Sequence, residues 1–212
     1  MSDVEIGVVD YGLGNIRSVT RGLERAGAEV ALLDEPRSIS QVDGVVLPGV
    51  GAFKEGVENA GPFRQALLEV AESETPLFGI CLGMQMLLST SEEADRAGQG
   101  EVEGLSLIPG RNVRFSADLT VPHMGWNRIT VERSHPVFDP LDDEYVYFVH
   151  SYYAAPDSPD AVIASTEYGS RFPAVIANDR GTVFGTQFHP EKSGRVGLTV
   201  LERFVAFCEA SA

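Results

Sequence analysis

The sequence has 212 residues, of which 43% are hydrophobic, and its formal net charge at pH 7 is -15. This length and apolar content suit one domain with a full core, and the charge argues against nucleic acid or an anionic membrane as a partner. No stretch approaches the roughly 18 apolar residues of a membrane span, and the N-terminus lacks a signal-peptide pattern, so we expect a single cytoplasmic domain over 1–212.

The charged residues suggest adaptation to salt. Lys54 and Lys192 are the only lysines in the chain, against 31 acidic residues. An acidic, lysine-poor surface is expected of a protein kept soluble in concentrated salt, where screening shortens the Debye length to about 3 Å at 1 M. We therefore favour a halophilic protein over a merely acidic mesophilic one.

The first half of the chain alternates short apolar runs with helical patterns. The apolar runs predict buried strands at 4–10, 29–33, 44–47 and 77–80. Helices are predicted at 16–26, which stops at Gly27, and around 63–71, where apolar residues share one face. Strands that alternate with helices predict an α/β fold with a mostly parallel central sheet and helices on both faces.

The second half changes character after about residue 100. Short runs separated by Gly, Pro, Asn or Asp predict antiparallel additions to the sheet: GLSLIPG, WNRITV, EYVYFVHSYY, AVIAST, PAVIAND and TVFGTQF. A last helix at 196–208 carries apolar residues on more than one side, so we expect it to pack deeply. Cys208 on this helix is interpreted as a small buried hydrophobe, and two distant cysteines suit a reducing compartment.

The other cysteine lies in GICLGMQ, between an apolar run and a helical pattern. Cys81 therefore falls on a sharp strand-to-helix turn that has the form of a nucleophile elbow, in which small flanking residues avoid clashes. Its thiolate would be stabilised at the start of the helix, and the N–H of Leu82 lies where an oxyanion would form. A buried core cysteine would not explain the glycines at both flanks.

A nucleophilic cysteine requires a base, and the chain has four histidines. His189 and Glu191, in FHPE at the end of a predicted strand, share a face, so the carboxylate can fix the ring's tautomer. His135 lies in a turn-rich segment and is expected to be a solvated loop residue. A metal site built from Cys81, His189 and Glu191 is a weaker interpretation, because no further Cys or His cluster is present.

Together these motifs resemble the class I glutamine amidotransferase family, whose members hydrolyse glutamine with Cys, His and Glu. The finer motifs DYGLGNIRS, LPGVGAF, PHMGWN, YFVHSYY and QFHPEKSG are similar to the glutaminase subunits of imidazole glycerol phosphate synthase. The resemblance runs nearly end to end and diverges in surface charge and around 94–100. It implies the flavodoxin-like fold of that family.

The resemblance also implies roles for individual residues. Pro48 to Gly51 matches the oxyanion strand, in which Gly49, Val50 and Gly51 would let a peptide flip and aim an N–H at the tetrahedral intermediate; an ordinary strand-to-helix turn is the alternative. The positions that match glutamine-binding residues of the family are Gln85, His150, Ser151 and Tyr152, with Glu93 as a further contact that could also be a solvated acidic residue.

The family further implies the partner and the chemistry. Ammonia would pass to a cyclase subunit with a TIM barrel fold, in a heterodimer, and Lys192 would face that subunit. No cofactor or metal is needed for glutamine hydrolysis. The motif PHMGWN would have a structural or subunit-facing role, with Trp126 expected to pack. Another glutaminase, such as that of pyridoxal phosphate synthase, and a non-catalytic scaffold of the same fold remain open.

Overall fold

The computed structural model describes residues 4–93, 98 and 102–211. The strands in this part of the chain are β1 (Glu5–Val9), β2 (Glu29–Leu33), β3 (Gly44–Leu47), β4 (Leu77–Ile80), β5 (Thr90–Ser91), β6 (Gly110–Arg114), β7 (His123–Arg128), β8 (Thr130–Val131), β9 (Tyr145–His150), β10 (Tyr152–Pro156), β11 (Val162–Tyr168), β12 (Ser170–Ala177) and β13 (Val183–Thr186). The helices are α1 (Ile16–Arg25), α2 (Phe53–Asn59), α3 (Arg64–Glu72), α4 (Leu82–Leu87) and α5 (Gly194–Ser211). The divergent segment 94–100, apart from Gly98, lies outside the described residues.

The central sheet has eight strands in the order β2-β1-β3-β4-β13-β12-β11-β8. The first five run parallel to one another, and β12, β11 and β8 continue the sheet by antiparallel pairing. The order 2-1-3-4 followed by a fifth parallel strand is that of flavodoxin-like folds. The predicted α/β architecture, with antiparallel additions in the C-terminal half, is therefore confirmed.

Side chains of the parallel strands alternate between two cores. In β3, Val46 belongs to the core beneath α1 and α5, while Val45 and Leu47 belong to the core beneath α2, α3 and α4. In β4, Phe78 and Leu77 divide between the two cores in the same way. This follows from the two-residue period of a strand, and it explains why both faces must be apolar.

Helix α4 packs unusually close to the sheet because glycines lie at the contact. A Cβ on Gly79 would come within 2.8 Å of the backbone of Gly83, and a Cβ on Gly83 would overlap the carbonyl oxygen of Leu47. No larger residue fits at either position without moving the helix. The glycines that flank Cys81 in the sequence thus allow this close approach.

Two small sheets lie beside the central one. One has the order β10-β6-β5, and the other is the antiparallel pair β7 and β9. We call the second the β7–β9 hairpin. It places His123 opposite His150, and it leaves Met124, Trp126 and Tyr145 more than half exposed. The expectation that Trp126 packs inside the protein is therefore wrong.

Three other expectations from the sequence are also wrong. Strand β2 lies at the edge of the central sheet, and only Leu33 of its residues is buried, so it is not a buried strand. The run GLSLIPG forms no strand before Gly110, where β6 begins. His135 is buried, not solvated, because Phe138, Phe184 and Phe207 pack around its ring and its Nε2 contacts the Gly181 carbonyl at 3.0 Å.

No helix among the described residues has the length and apolar character needed to cross a bilayer.

Candidate active site

The predicted site residues meet at the carboxyl edge of the parallel strands. In open α/β sheets, ligands bind in the crevice outside this edge. A cavity of about 390 Å³ opens here, and ten of the predicted residues line it: Val50, Gly51, Cys81, Leu82, Gln85, Glu93, His150, Ser151, Tyr152 and His189. Pro122 and Val149 complete the lining.

Cys81 occupies the tight turn between β4 and α4. Its φ of 54° and ψ of -105° lie outside the regions that L-residues prefer, which is typical of a side chain held out above a sheet. The N–H of Cys81 donates to the carbonyl oxygen of Thr186 at 2.8 Å, so the strained turn is anchored to β13. The side chain is 7% exposed and lines the cavity.

His189 and Glu191 form a buried pair. Nδ1 of His189 lies 2.8 Å from Oε1 of Glu191, and the two side chains are 2% and 1% exposed. They do not share a strand face as predicted, because β13 ends at Thr186 and Glu191 lies in a short 3-10 helix at Pro190–Lys192. The contact predicted from the sequence exists, but a helical turn produces it.

The surroundings of His189 favour its protonated form. Burial lowers the pKa of the ring, but Cys81 and Glu191, acting through hydrogen bonding and negative charge, outweigh this effect and raise the pKa to about 9. Nε2 of His189 has no hydrogen-bond partner of full geometry among the described residues, so of the two effects of Cys81 the geometry supports its negative charge. A protonated imidazole beside a cysteine favours the thiolate.

The segment after β3 forms the opposite wall. Gly49 packs so closely on Tyr11 and Leu82 that a Cβ would come within 2.5 Å of the Tyr11 hydroxyl and 2.9 Å of Leu82 Cβ. Gly51 has a φ of 105°, a conformation that favours glycine. The Tyr11 hydroxyl donates to the Pro48 carbonyl at 2.6 Å, and burial, together with the charge of Cys81, raises the pKa of Tyr11.

A chain of side-chain amides lies beneath the cavity. Nε2 of Gln85 donates to the carbonyl oxygen of Tyr152 at 2.9 Å and to Oε1 of Gln187 at 3.1 Å. Nε2 of Gln187 in turn lies 3.6 Å from Sγ of Cys81. Nδ2 of Asn112 donates to the backbone carbonyl of Gln85 at 3.0 Å. The amide of Gln85 is thus already engaged by protein groups while the residue lines the cavity.

Two buried histidines extend this network toward the β7–β9 hairpin. Nδ1 of His150 lies 2.8 Å from the Tyr152 carbonyl, so it must carry the proton that it donates. Nε2 of His150 is then an acceptor for Nδ1 of His123, at 3.1 Å. Burial lowers the pKa of His123 to about 4 and that of His150 to about 3. Both rings are therefore neutral near pH 7.

The remaining predicted residues have separate positions. Oε2 of Glu93 accepts the N–H of Phe53 at 2.8 Å, so this carboxylate caps the first turn of α2 as well as lining the cavity. Ser151 contributes to the cavity wall. Lys192 is exposed at the end of the 3-10 helix and forms no ion pair with any described residue.

Four residues of the site were not found from the sequence. Tyr11 follows β1, Pro122 directly precedes β7, Gln187 follows β13, and Val149 lies on β9. The motifs QFHPE and VHSYY contain the last two, but nothing in their local pattern distinguishes a side chain that contacts the cavity from its neighbours. Within the described residues, no three potential metal ligands cluster together.

Comparison with known proteins gives a consistent result. The sequence profile of the family described as "Glutamine amidotransferase class-I" matches residues 7–207.

Close relatives cover almost the whole chain. "Imidazole glycerol phosphate synthase subunit HisH" from Halobacterium salinarum is 66% identical over 201 residues, covering 95% of this chain and 92% of the relative. The protein of the same name from Natronomonas pharaonis is 65% identical and covers 96% and 95%. That from Methanosarcina acetivorans is 49% identical and covers 95% and 98%. The first two come from halophilic organisms, which supports the interpretation of the acidic surface.

Solved structures at lower identity share the fold. PurLQS from Thermotoga maritima matches with a TM-score of 0.72 at 20% identity, covering 97% of this chain and 99% of that one. A structure described as a glutamine amidotransferase matches with a TM-score of 0.73 at 19% identity, covering 97% and 98%. At these identities the similarity concerns the fold alone.

Proposed function

The chain belongs to the class I glutamine amidotransferase family, and we propose that it is the glutaminase subunit of an imidazole glycerol phosphate synthase in histidine biosynthesis. It hydrolyses glutamine to glutamate and ammonia and passes the ammonia to a cyclase subunit. Three relatives that are 60% or more identical to it are named "Imidazole glycerol phosphate synthase subunit HisH".

One observation carries the chemical part of the proposal. Cys81 is held in a strained turn at the edge of a cavity that His189 also lines, and His189 is bound to the buried Glu191. A nucleophile, a base and a group that orients the base are the parts that acyl transfer requires. We assign these roles to Cys81, His189 and Glu191.

The first half-reaction forms a thioester. The Cys81 thiolate attacks the carboxamide carbon of glutamine, and the carbonyl electrons move to oxygen to give a tetrahedral oxyanion. When this intermediate collapses, the C–N bond breaks and His189 donates its proton to the leaving nitrogen, which departs as ammonia. The raised pKa of His189 suits this step, since the ring begins as imidazolium.

The second half-reaction regenerates the enzyme. Neutral His189 accepts a proton from water as the oxygen attacks the thioester carbon, and collapse of the new intermediate breaks the C–S bond. Glutamate leaves, and the thiolate and imidazolium are restored. Glu191 holds the ring and stabilises its positive charge in both halves, without itself taking up the proton.

Two sets of groups are assigned to the substrate. The N–H of Leu82, with a peptide N–H from Gly49 to Gly51, is proposed to bind the oxyanion. Gly51 has a backbone conformation that few other residues adopt, which supports a specialised role for this segment. Glutamine itself is proposed to be held by cavity residues: Gln85, Glu93, His150, Ser151 and Tyr152.

We further propose that the partner is a TIM-barrel cyclase that binds over the cavity to form a heterodimer. The exposed Met124, Trp126 and Tyr145 of the β7–β9 hairpin support this, because the hairpin also supplies Val149 to the cavity wall. Large apolar side chains that are exposed together commonly mark a protein interface. Lys192, exposed directly after Glu191, is assigned to the same surface.

The test compares the two cysteines in the reconstituted complex. We expect Cys81→Ala to abolish glutamine-dependent turnover while the cyclase continues to use added ammonium salt. The matched control is Cys208→Ala, which removes a buried thiol on α5 remote from the cavity and should leave glutamine hydrolysis intact. Glutamine-dependent turnover retained by Cys81→Ala would contradict the proposed function.

A further inference from the structure

The structure contains a side chain in direct contact with the sulfur of Cys81 that has no assigned role. Gln187 is fully buried, and its Nε2 lies 3.6 Å from Cys81 Sγ. Its backbone N–H donates to the Ala174 carbonyl at 2.9 Å, which fixes the position of the residue at the end of β13. A buried amide requires partners for both ends, and here the sulfur is the partner of the NH2 group.

Neighbouring groups determine which end of the Gln187 amide faces the sulfur. The carbonyl of Tyr152 can only accept hydrogen bonds, so the NH2 group of Gln85 must face it. The same NH2 group then faces Gln187, at 3.1 Å, and only the oxygen of Gln187 can accept from it. If the Gln187 amide were reversed, two NH2 groups would oppose each other. Its N–H is therefore directed at Cys81.

From this geometry we infer that Gln187 donates a hydrogen bond to the thiolate of Cys81, stabilising the charged sulfur and holding it at the cavity edge. The inference rests on the proposed function, in which that thiolate is the nucleophile. A hydrogen bond to the charged form of a group favours that form, and bonds to ionised acceptors are stronger than neutral ones.

The other titratable groups near the sulfur do not supply this bond. Tyr11, which follows β1, directs its hydroxyl to the Pro48 carbonyl. Cys81 raises the pKa of His189, but Nε2 of His189 has no hydrogen-bond partner of full geometry among the described residues, and Glu191 contacts His189. His150 and Glu93 line the same cavity but bond to the Tyr152 carbonyl and the Phe53 N–H. Gln187 is thus the side-chain donor to Sγ among the described residues.

The test measures the sulfur directly, without glutamine. In the full chain, the rate of alkylation by iodoacetamide is followed across pH for wild type, Gln187→Met and the control Gln65→Met, an exposed glutamine on α3. We expect Gln187→Met to move the midpoint of the rate curve upward by about one to two pH units, the shift that corresponds to loss of one hydrogen bond to a charged group. Gln65→Met should follow wild type.

A midpoint unchanged in Gln187→Met would overturn the inference, because a purely structural role would alter stability without moving this curve. If the variant fails to fold, the test uses the wild-type chain with ¹⁵N-labelled glutamine side chains, whose amide resonances are followed by NMR across pH. The buried Gln187 amide resonance should follow the same pH midpoint as alkylation, and this response should vanish in Cys81→Ala. A resonance indifferent to that midpoint would reject the inference.

The two proposals fail in different ways. If the complex shows no glutamine-dependent turnover while the alkylation curve shifts in Gln187→Met as expected, the proposed function fails and the contact stands. If turnover is present and the curve does not shift, the role assigned to Gln187 fails and the function stands.

Discussion

His123 and His150 are buried imidazoles that share a single hydrogen bond. The pair has one proton between its facing nitrogens, because the neutral His150 ring uses its single N–H, on Nδ1, for the Tyr152 carbonyl. A proton added to Nε2 of His150 would place two donors opposite each other at 3.1 Å, and one added to Nε2 of His123 would oppose the NH2 group of Asn127 at 3.4 Å. Phe115, Phe148 and Phe172 surround the pair. The fold therefore keeps both rings neutral, and it is less stable in acid, where the unfolded histidines take up protons more readily.

We expect acid to destabilise the protein through this pair. Unfolded histidines take up protons below about pH 6.5, whereas the folded rings do so only near pKa values of about 4 and about 3. Between these limits the unfolded state binds more protons, so stability falls as the pH falls, by up to about 2.7 kcal/mol per pH unit for two groups.

The measurement is the free energy of unfolding between pH 7.5 and pH 5, for wild type and His123→Phe. The variant keeps an aromatic ring against Tyr168, which stacks on His123 at 4.2 Å between ring centres. It should lose up to about 1.4 kcal/mol per pH unit of the acid slope, which is the contribution of one histidine. Above pH 7, where His123 and His150 are neutral in both the folded and the unfolded state, the unfolding free energies of the two proteins should differ by a constant. Equal acid slopes would contradict this account.

Lys192 and Lys54, the only two lysines, allow a matched comparison. Lys54 pairs with Glu58 on α2 at 3.7 Å, whereas Lys192 is exposed and pairs with none of the described residues. If Lys192 meets an acidic group of the cyclase, Lys192→Ala should weaken association by about 2 to 5 kcal/mol for a buried pair and by less at a rim. Lys54→Ala should change association little.

Association is measured by titration of the cyclase against each variant, and stimulation of glutaminase activity by the cyclase ligand is measured alongside. Alkylation of Cys81 in the isolated chain should be the same in both variants. Wild-type affinity together with wild-type stimulation in Lys192→Ala would remove Lys192 from the interface.

At the scale of elements, the elbow depends on how closely α4 approaches β3 and β4. Gly83 lies against the Leu47 carbonyl, and Gly79 and Gly185 provide a flat surface beneath the helix. Backbone atoms cannot move aside as a flexible side chain can. The position of Cys81 is thus set by contacts between two strands and a helix of six residues.

Substitution of Gly83 by Ala should therefore move the helix. We expect Gly83→Ala to lower the free energy of unfolding by about 1 to 3 kcal/mol or more, as overpacking does, and to reduce glutamine turnover because Cys81 shifts relative to His189. Denaturant unfolding and turnover measure the two effects. The control Gly61→Ala adds a Cβ that meets nothing within 4 Å and should change neither. A Gly83→Ala variant as stable as wild type would contradict the packing argument.

At the scale of the whole molecule, the charge of -15 sets the response to salt. The Lys and Arg ion pairs among the described residues are largely exposed, with Arg128 and Asp143 at 2.8 Å as an example, so they offset little of the repulsion. Salt at molar concentration shortens the Debye length to about 3 Å and screens the acidic groups from one another. High salt should therefore stabilise the folded state.

We expect the melting temperature to rise from dilute buffer to molar potassium chloride, by about 2 to 4 °C for each kcal/mol of repulsion screened. A variant with three exposed acidic residues neutralised, Glu24→Gln, Glu202→Gln and Glu209→Gln, should show a smaller rise. The melting temperature of each protein is measured by thermal unfolding at several salt concentrations. A melting temperature independent of salt would refute adaptation to salt and leave the proposed function unaffected.

The sequence by itself determined the local features. Continuous apolar runs predicted β3 and β4, since a strand covered on both faces cannot alternate with polar residues. The glycines two positions before and after Cys81 predicted the elbow, because a larger residue at either position would clash where the strand turns into the helix. The motif FHPE brought His189 and Glu191 together, although the helical turn that joins them was taken for a strand.

Tertiary structure alone decided which side chains are buried and which distant groups meet. His135 stands in a turn-rich segment, yet three phenylalanines remote in sequence enclose it. Trp126 is a large aromatic residue of the kind that often packs in a core, yet more than half of it is exposed on the β7–β9 hairpin. Gln187 meets Cys81 across 106 positions of sequence because β13 lies beside β4. The local pattern of apolar residues indicates whether a segment is a helix or a strand. Which of its side chains are buried, and which distant residues they contact, depends on the elements that pack against it.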